Sequence, residues 1–122
     1  MGVTVQELHG ALAWAVVIAN GASGLWALGA HWLAPLRQQA LWWFVIASQV
    51  LVFPQIALGI WNMTVNDVQP PSMHTFYGIL LPFAVLILFG YSRTSVRSYL
   101  YLLYGCGGVF LMGLGVRAMV LH

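Results

Sequence analysis

The sequence predicts an all-α membrane protein, an up-down bundle of four transmembrane helices with both termini on the outer side. Three observations point there. Only six of the 122 residues are charged, Arg37, Arg93, Arg97, Arg117, Glu7 and Asp67, and lysine is absent. That is 5% of the chain, against roughly 25% in soluble domains, too few to cover a water-facing surface. The second observation is the apolar content, 61% with a mean hydropathy of +0.89, which also excludes disorder. Third, the apolar runs are continuous, whereas transmembrane strands would show stretches of about 10 residues alternating apolar and polar. Scattered arginines and a net charge of +2 make no basic patch, so nucleic acid is excluded as a partner.

A helix needs about 20 apolar residues to cross the hydrocarbon core, and four crossings leave this chain room for loops. The breaks fall at polar and proline-rich points and give segments Leu8 to Leu33, Gln39 to Met63, His74 to Tyr91 and Ser98 to Leu121, forming one domain over residues 1–122. No basic region precedes the first segment, so it is expected to stay as a membrane helix. Pro35 stops it, and the loop that follows holds Arg37. Pro54 and Pro82 are expected to kink the second and third helices, which neighbouring helices tolerate. The longer connection Thr64 to Met73 contains Asn66-Asp67 and Pro70-Pro71, and the third loop holds Arg93 and Arg97. Gly21 and Gly24 in the first helix and Gly105, Gly108, Gly113 and Gly115 in the fourth would allow close helix approach. Trp42, Trp43, Tyr99 and Tyr101 are placed for an interfacial belt.

Up-down topology collects Arg37, Arg93 and Arg97 on one face and leaves Glu7, Asp67 and Arg117 on the other. The positive-inside rule then turns the arginine loops to the cytoplasm. The expected location is a bacterial inner membrane, with the lipid bilayer and other membrane subunits as partners. Cys106, the single cysteine, lies in an apolar stretch and can form no internal disulfide.

Of the four histidines, His31 falls near the cytoplasmic end of the first helix and His122 is the last residue given. Both read as interfacial side chains. His9 and His74 are each expected in the first turn of a helix starting from the outer face, at matched depth. Those helices should stand diagonally, with axes roughly 12 to 14 Å apart given neighbour spacings of about 8 to 10 Å. Two inward imidazoles at that spacing suit one metal of a flat cofactor and are too wide for direct coordination of a small metal ion. Histidine is a common axial ligand of haem, and bundle cores are common sites for it. Gly10 and Gly78 would let a flat ring approach the backbone, while Phe76 and Tyr77 could stack on it. Arg117, at similar depth, could pair with a propionate or snorkel to the interface.

The run Gln49 to Val65, followed by Pro70-Pro71 and His74, resembles the second-to-third-helix signature of one half of haem A synthase, a family of two tandem four-helix bundles. The resemblance implies that histidines opening the first and third helices ligate a haem, and His9 and His74 fall at those positions. It covers the whole chain in layout and residues 49 to 74 in sequence. The family's catalytic acid lies three positions before the first-helix histidine, where this chain has Gln6, with Glu7 out of phase by one. The outer-loop cysteine pair of some members is missing, and one bundle is present rather than two. The resemblance therefore implies the haem-holding bundle rather than the synthase reaction. Two axial histidines leave no open coordination position, which suits electron transfer.

Other chemistry fails on inventory. Ser72, expected in a loop near His74, has no orienting acid. Phosphate loops, zinc spacings and paired carboxylates are missing. A proton-coupled transporter would want a carboxylate within a span, and Glu7 and Asp67 are expected outside them. Asn62-Met63-Thr64 matches a glycosylation acceptor but abuts a helix. Asn20, Gln49 and Gln55, deep in the spans, read as helix ties worth about 0.6 to 2 kcal/mol each, or as donors to a quinone carbonyl. Two functions follow: a b-type haem-binding subunit carrying electrons in a respiratory or photosynthetic complex, and a haem-free accessory subunit of a larger membrane complex. A chlorophyll-type pigment on a single histidine is a further ligand class. An absorption spectrum separates them.

Overall fold

The computed structural model describes residues 4–67, 69–93 and 99–120. Arg97, His122, and the expected bounds Ser98 and Leu121 of the fourth segment lie outside these. Helix α1 spans Val5–Trp32 and is followed by a 3-10 turn at Ala34–Leu36. The second span is two helices, α2 (Gln39–Val50) and α3 (Val52–Thr64), and the third and fourth spans are α4 (Ser72–Ser92) and α5 (Leu100–Val120). All four spans are long and apolar enough to cross a membrane, as in a multi-pass integral membrane protein.

Local chemistry sets the boundaries. Thr4 caps α1, its hydroxyl accepting from the Glu7 amide at 3.1 Å, and the Glu7 carboxylate in the first turn complements the helix dipole. Glu7 thus lies inside the first span, at its end, rather than before it. α1 starts earlier than Leu8, so His9 is in its second turn. α4 starts two residues before His74, so Ser72 opens the helix instead of sitting in a loop. The split at Leu51 traces to Pro54, which has no N–H to offer the carbonyl of Val50, the last residue of α2. Pro82 stays within a continuous α4. Asp67 takes a left-handed turn at φ 57°, a conformation aspartate tolerates better than most residues.

α1 packs chiefly on α5 and also on α2 and α3; α4 packs on α5 and, less closely, on α3. The first and third spans therefore stand diagonally, as expected. The α1–α5 seam is built from small residues. A Cβ on Gly24 would lie 2.8 Å from the Val109 backbone nitrogen, and one on Gly108 would lie 2.7 Å from the Asn20 carbonyl oxygen. Such closeness maximises dispersion between helices in lipid, where apolar burial supplies no drive. Gly21, Gly105 and Gly115 also face neighbours, whereas Gly113 faces open space and takes no part in the seam.

Two apolar clusters fill the interior. One joins Val16, Val52, Leu81, Val85, Leu111 and Leu114. The other, nearer the arginine end, centres on Ala27, Ala30, Leu41 and Val45. Asn20 Nδ2 donates to the carbonyls of Val16 (2.9 Å) and Ser48 (3.0 Å), and Ser48 Oγ donates to those of Phe44 (2.7 Å) and Ala19 (3.2 Å), tying α1 to α2. Gln55 Nε2 donates to the His9 carbonyl at 2.9 Å, tying α3 to α1.

Arg37 is not a free loop charge. Its guanidinium folds back onto the end of α1, Nε donating to the Ala30 carbonyl (2.6 Å) and Nη2 to that of His31 (2.7 Å), with Tyr101 beneath it at 5.5 Å. The Trp26 indole donates to the Leu36 carbonyl at 2.9 Å and fixes the 3-10 turn. Trp43 and Tyr99 are exposed as belt residues would be, but Trp42 turns inward, 5.1 Å from the Tyr101 ring. Outward faces present Trp14, Ile18, Leu25, Phe83 and Phe110, each more than half exposed, as lipid contact requires.

The seam predicts a contrast between two alanines. Gly24→Ala meets backbone that cannot rotate away and should destabilise the detergent-solubilised protein by about 1 to 3 kcal/mol, read as a lower unfolding midpoint. Gly113→Ala should leave that midpoint unchanged or raise it slightly.

Candidate functional site

The ends of α1, α4 and α5 opposite Arg37 and Arg93 hold the paired histidines. His9 comes from α1 and His74 from the first turn of α4. Their ring centroids are 6.2 Å apart, with planes at 76°. The diagonal helices therefore do not set the imidazole spacing; both side chains reach into the space between them. This corrects the expectation that the pair is too wide to share a small metal ion. Among the described residues, no group of three or more His, Cys, Asp or Glu side chains converges on a metal position.

The two histidines are held differently, His74 through its ring and His9 through its main chain. His74 Nδ1 lies 2.6 Å from the Ala118 carbonyl on α5. A carbonyl can only accept, so Nδ1 carries the hydrogen and the lone pair is on Nε2. This is the arrangement that second-shell carbonyls impose on ligating histidines. His9 is held through its main chain by Gln55, and its ring lies against α3 where a side chain is missing: a Cβ on Gly59 would stand 3.2 Å from His9 Cε1.

Two cavities flank the imidazoles. One, of about 220 Å³, opens toward α5 and is bounded by Gly10, Ala13 and Gly115. The other, of about 260 Å³, opens toward α3 and is bounded by Gly59, Asn62 and Pro70. His9, His74, Gln6, Ile56 and Gly78 border both. A Cβ on Gly10 or Gly78 would meet nothing within 4 Å, and both glycines border the cavities, Gly78 both of them and Gly10 the first.

A carboxamide chain closes the α3 side. Asn66 Nδ2 donates to Asn62 Oδ1 at 2.9 Å, and Asn62 Nδ2 donates to Gln6 Oε1. Gln6 therefore has a structural partner at the position where the resembling family carries its acid. Asn62 is 5% exposed and so engaged, which removes it as a glycosylation acceptor. The signal for this chain was two amides near the ends of apolar segments, but which amides meet depends on how α1 and α3 pack.

The remaining expected site residues lie to one side. Arg117 sits over the Tyr77 ring at 5.4 Å, and Tyr77 packs edge-on against Phe76 at 5.3 Å. Arg117, Tyr77 and Phe76 border neither cavity. Arg117 is exposed on α5 one residue before Ala118, whose carbonyl meets His74. His31 lies at the opposite end against Trp32 (4.7 Å) and Tyr99 (6.5 Å), and Cys106 is exposed on α5.

Comparison with known protein families, characterised proteins and solved structures finds no match for this chain.

The Ala118 contact makes a prediction that does not depend on any ligand. In spectra of the protein labelled with ¹⁵N-histidine, one ring should be locked in the Nδ1–H tautomer, and that signal should disappear in His74→Ala and persist in His31→Ala.

Proposed function

We propose that this chain is a small b-type haem-binding membrane protein in which His9 and His74 hold the iron from opposite faces. The ring separation carries the reading. A metal–imidazole bond is about 2 Å long, and the centre of a five-membered ring is about 1 Å from its atoms. Two opposed ligands of one metal therefore have centroids roughly 6 Å apart, and here the distance is 6.2 Å. Two imidazoles leave a metal's remaining positions to a planar macrocycle, and the cavities on both sides of the pair, open to the Gly10 and Gly78 backbones, are where its edges would lie. The Ala118 carbonyl would keep His74 in the ligating tautomer, and Gly59 would give the His9 ring its room.

Haem so ligated supplies one-electron transfer, with no position left for oxygen. Arg117, beside Ala118 and exposed, is the proposed partner of a propionate. Arg37 and Arg93 lie at the other end of the bundle, so the positive-inside rule turns the histidine end, and both termini, to the outer face of a membrane such as the bacterial inner membrane. The four-helix layout and the resemblance to half of haem A synthase support the same reading. A chain with such short loops would serve as a subunit of a respiratory or photosynthetic complex.

Purified protein from cells given ample haem should show a Soret band and the α and β bands of a six-coordinate low-spin haem. His9→Ala and His74→Ala should each abolish the low-spin spectrum. Wild-type protein without a Soret band overturns the reading. Gly59→Ala, which forces the His9 ring aside by a few tenths of an ångström, should retain the helical fold but lose haem several-fold faster on transfer to apomyoglobin.

A further inference from the structure

A third cavity, larger than the two at the histidines, lies in the half of the bundle nearer Arg93. It is a lateral groove of about 910 Å³ bounded by α2, the start of α3, α4 and α5, with Gln49 among its lining residues. The second span packs on the third chiefly through α3, beyond the break at Leu51, which leaves the groove beside α2.

Gln49 separates this groove from a mere gap between helices. The three deep carboxamides have different fates. Asn20 and Gln55 each bind a carbonyl on another span. Gln49 is 8% exposed, and its carboxamide has no hydrogen-bond partner among the described residues. Its amide borders the open groove instead of a neighbouring helix, so helix glue is not what Gln49 provides.

We propose that the groove binds the ring of an isoprenoid quinone, with Gln49 as its hydrogen-bonding partner. Depth decides among membrane-soluble ligands. Gln49 lies about 15 Å along α2 from Gln39 at the usual helical rise, near the middle of a hydrocarbon core about 30 Å thick. A phospholipid whose phosphate meets Arg93 at the mouth holds its ester carbonyls close to that phosphate, too shallow to reach Gln49. A neutral ring carrying carbonyls can enter the core. The carboxamide serves both forms of such a ring: Nε2–H donates to a quinone carbonyl, and Oε1 accepts from a quinol hydroxyl. Trp42, Phe53, Phe89 and Tyr104 supply aromatic walls, and apolar lining with one convergent polar group is how small-molecule sites are usually built. The inference stands apart from the haem reading, since the groove shares no residue with the histidine cavities.

The test uses the detergent-purified chain titrated with decylubiquinone, read by quenching of tryptophan fluorescence and by native mass spectrometry. Saturable quenching with one quinone retained is expected, and Trp42→Phe should remove most of the signal. Gln49→Leu should weaken binding about tenfold, one hydrogen bond's worth. Gln49→Asn, which keeps the amide one methylene short, should weaken it less. Arg93→Ala should leave it unchanged. Binding should persist in the His9→Ala, His74→Ala double variant, so loss of the haem reading would leave this one standing. Unsaturable quenching, or wild-type affinity in Gln49→Leu, overturns the proposal. So does retention of phosphatidylglycerol in place of quinone together with loss of binding in Arg93→Ala.

Discussion

The contact between α1 and α5 is the constraint on which the other packing depends. In a bilayer, lipid tails solvate apolar side chains as well as other helices do, so helices associate through close dispersion contact and through polar ties. Gly24 against Gly105 and Gly108 brings two backbones so near that no side chain fits between them. With α5 held there, α4 packs beside α5 and α2–α3 beside α1, and α3 meets α4 to close the bundle. The diagonal position of the first and third spans follows. So does the placement of the Ala118 carbonyl at hydrogen-bond distance from a histidine on a different helix.

The histidine site is a consequence of that frame and of the missing side chain at Gly59. Diagonal axes alone would leave the imidazoles apart, but the absence of a Cβ at Gly59 lets the His9 ring lie close to α3, and the interior between α1 and α4 is open enough for both rings to enter. The Ala118 carbonyl orients the His74 ring, and the Gln55 side-chain amide ties the His9 backbone to α3.

Polar groups in the spans differ in what packing supplies: the amide nitrogens of Asn20 and Gln55 are engaged across helices, while their Oδ1 and Oε1 atoms are buried without a hydrogen-bond partner among the described residues. Asn20 and Gln55 find carbonyls across helix interfaces, and Gln6, Asn62 and Asn66 satisfy one another in a chain. Gln49 lies two residues before the break at Leu51 and faces the groove, where it makes no hydrogen bond among the described residues. One proline thus shapes both ends of the bundle: beyond the break α3 packs against α1 and α4 at the histidines, and before it the groove opens beside α2.

Much of this was legible in the residues. Six charges among 122 residues leave hydrocarbon as the only solvent in which the chain's surface is stable, and the apolar run lengths then dictate four helices. His9, His74, Gly10 and Gly78 could be singled out because helical phase and depth are one-dimensional properties of the chain. Contacts between helices are not. Whether Arg37 is a solvated loop charge or a clamp on α1, whether Arg117 faces a cavity or Tyr77, and whether Gly113 belongs to the seam all depend on how each helix is rotated about its axis. In a chain apolar all round, the sequence carries almost no signal for that rotation. The imidazole separation and the missing partner of Gln49 belong to the same class, decided by close packing between segments far apart in the chain. The sequence by itself determined the solvent and the number of crossings; tertiary packing alone decided which polar groups face one another across them.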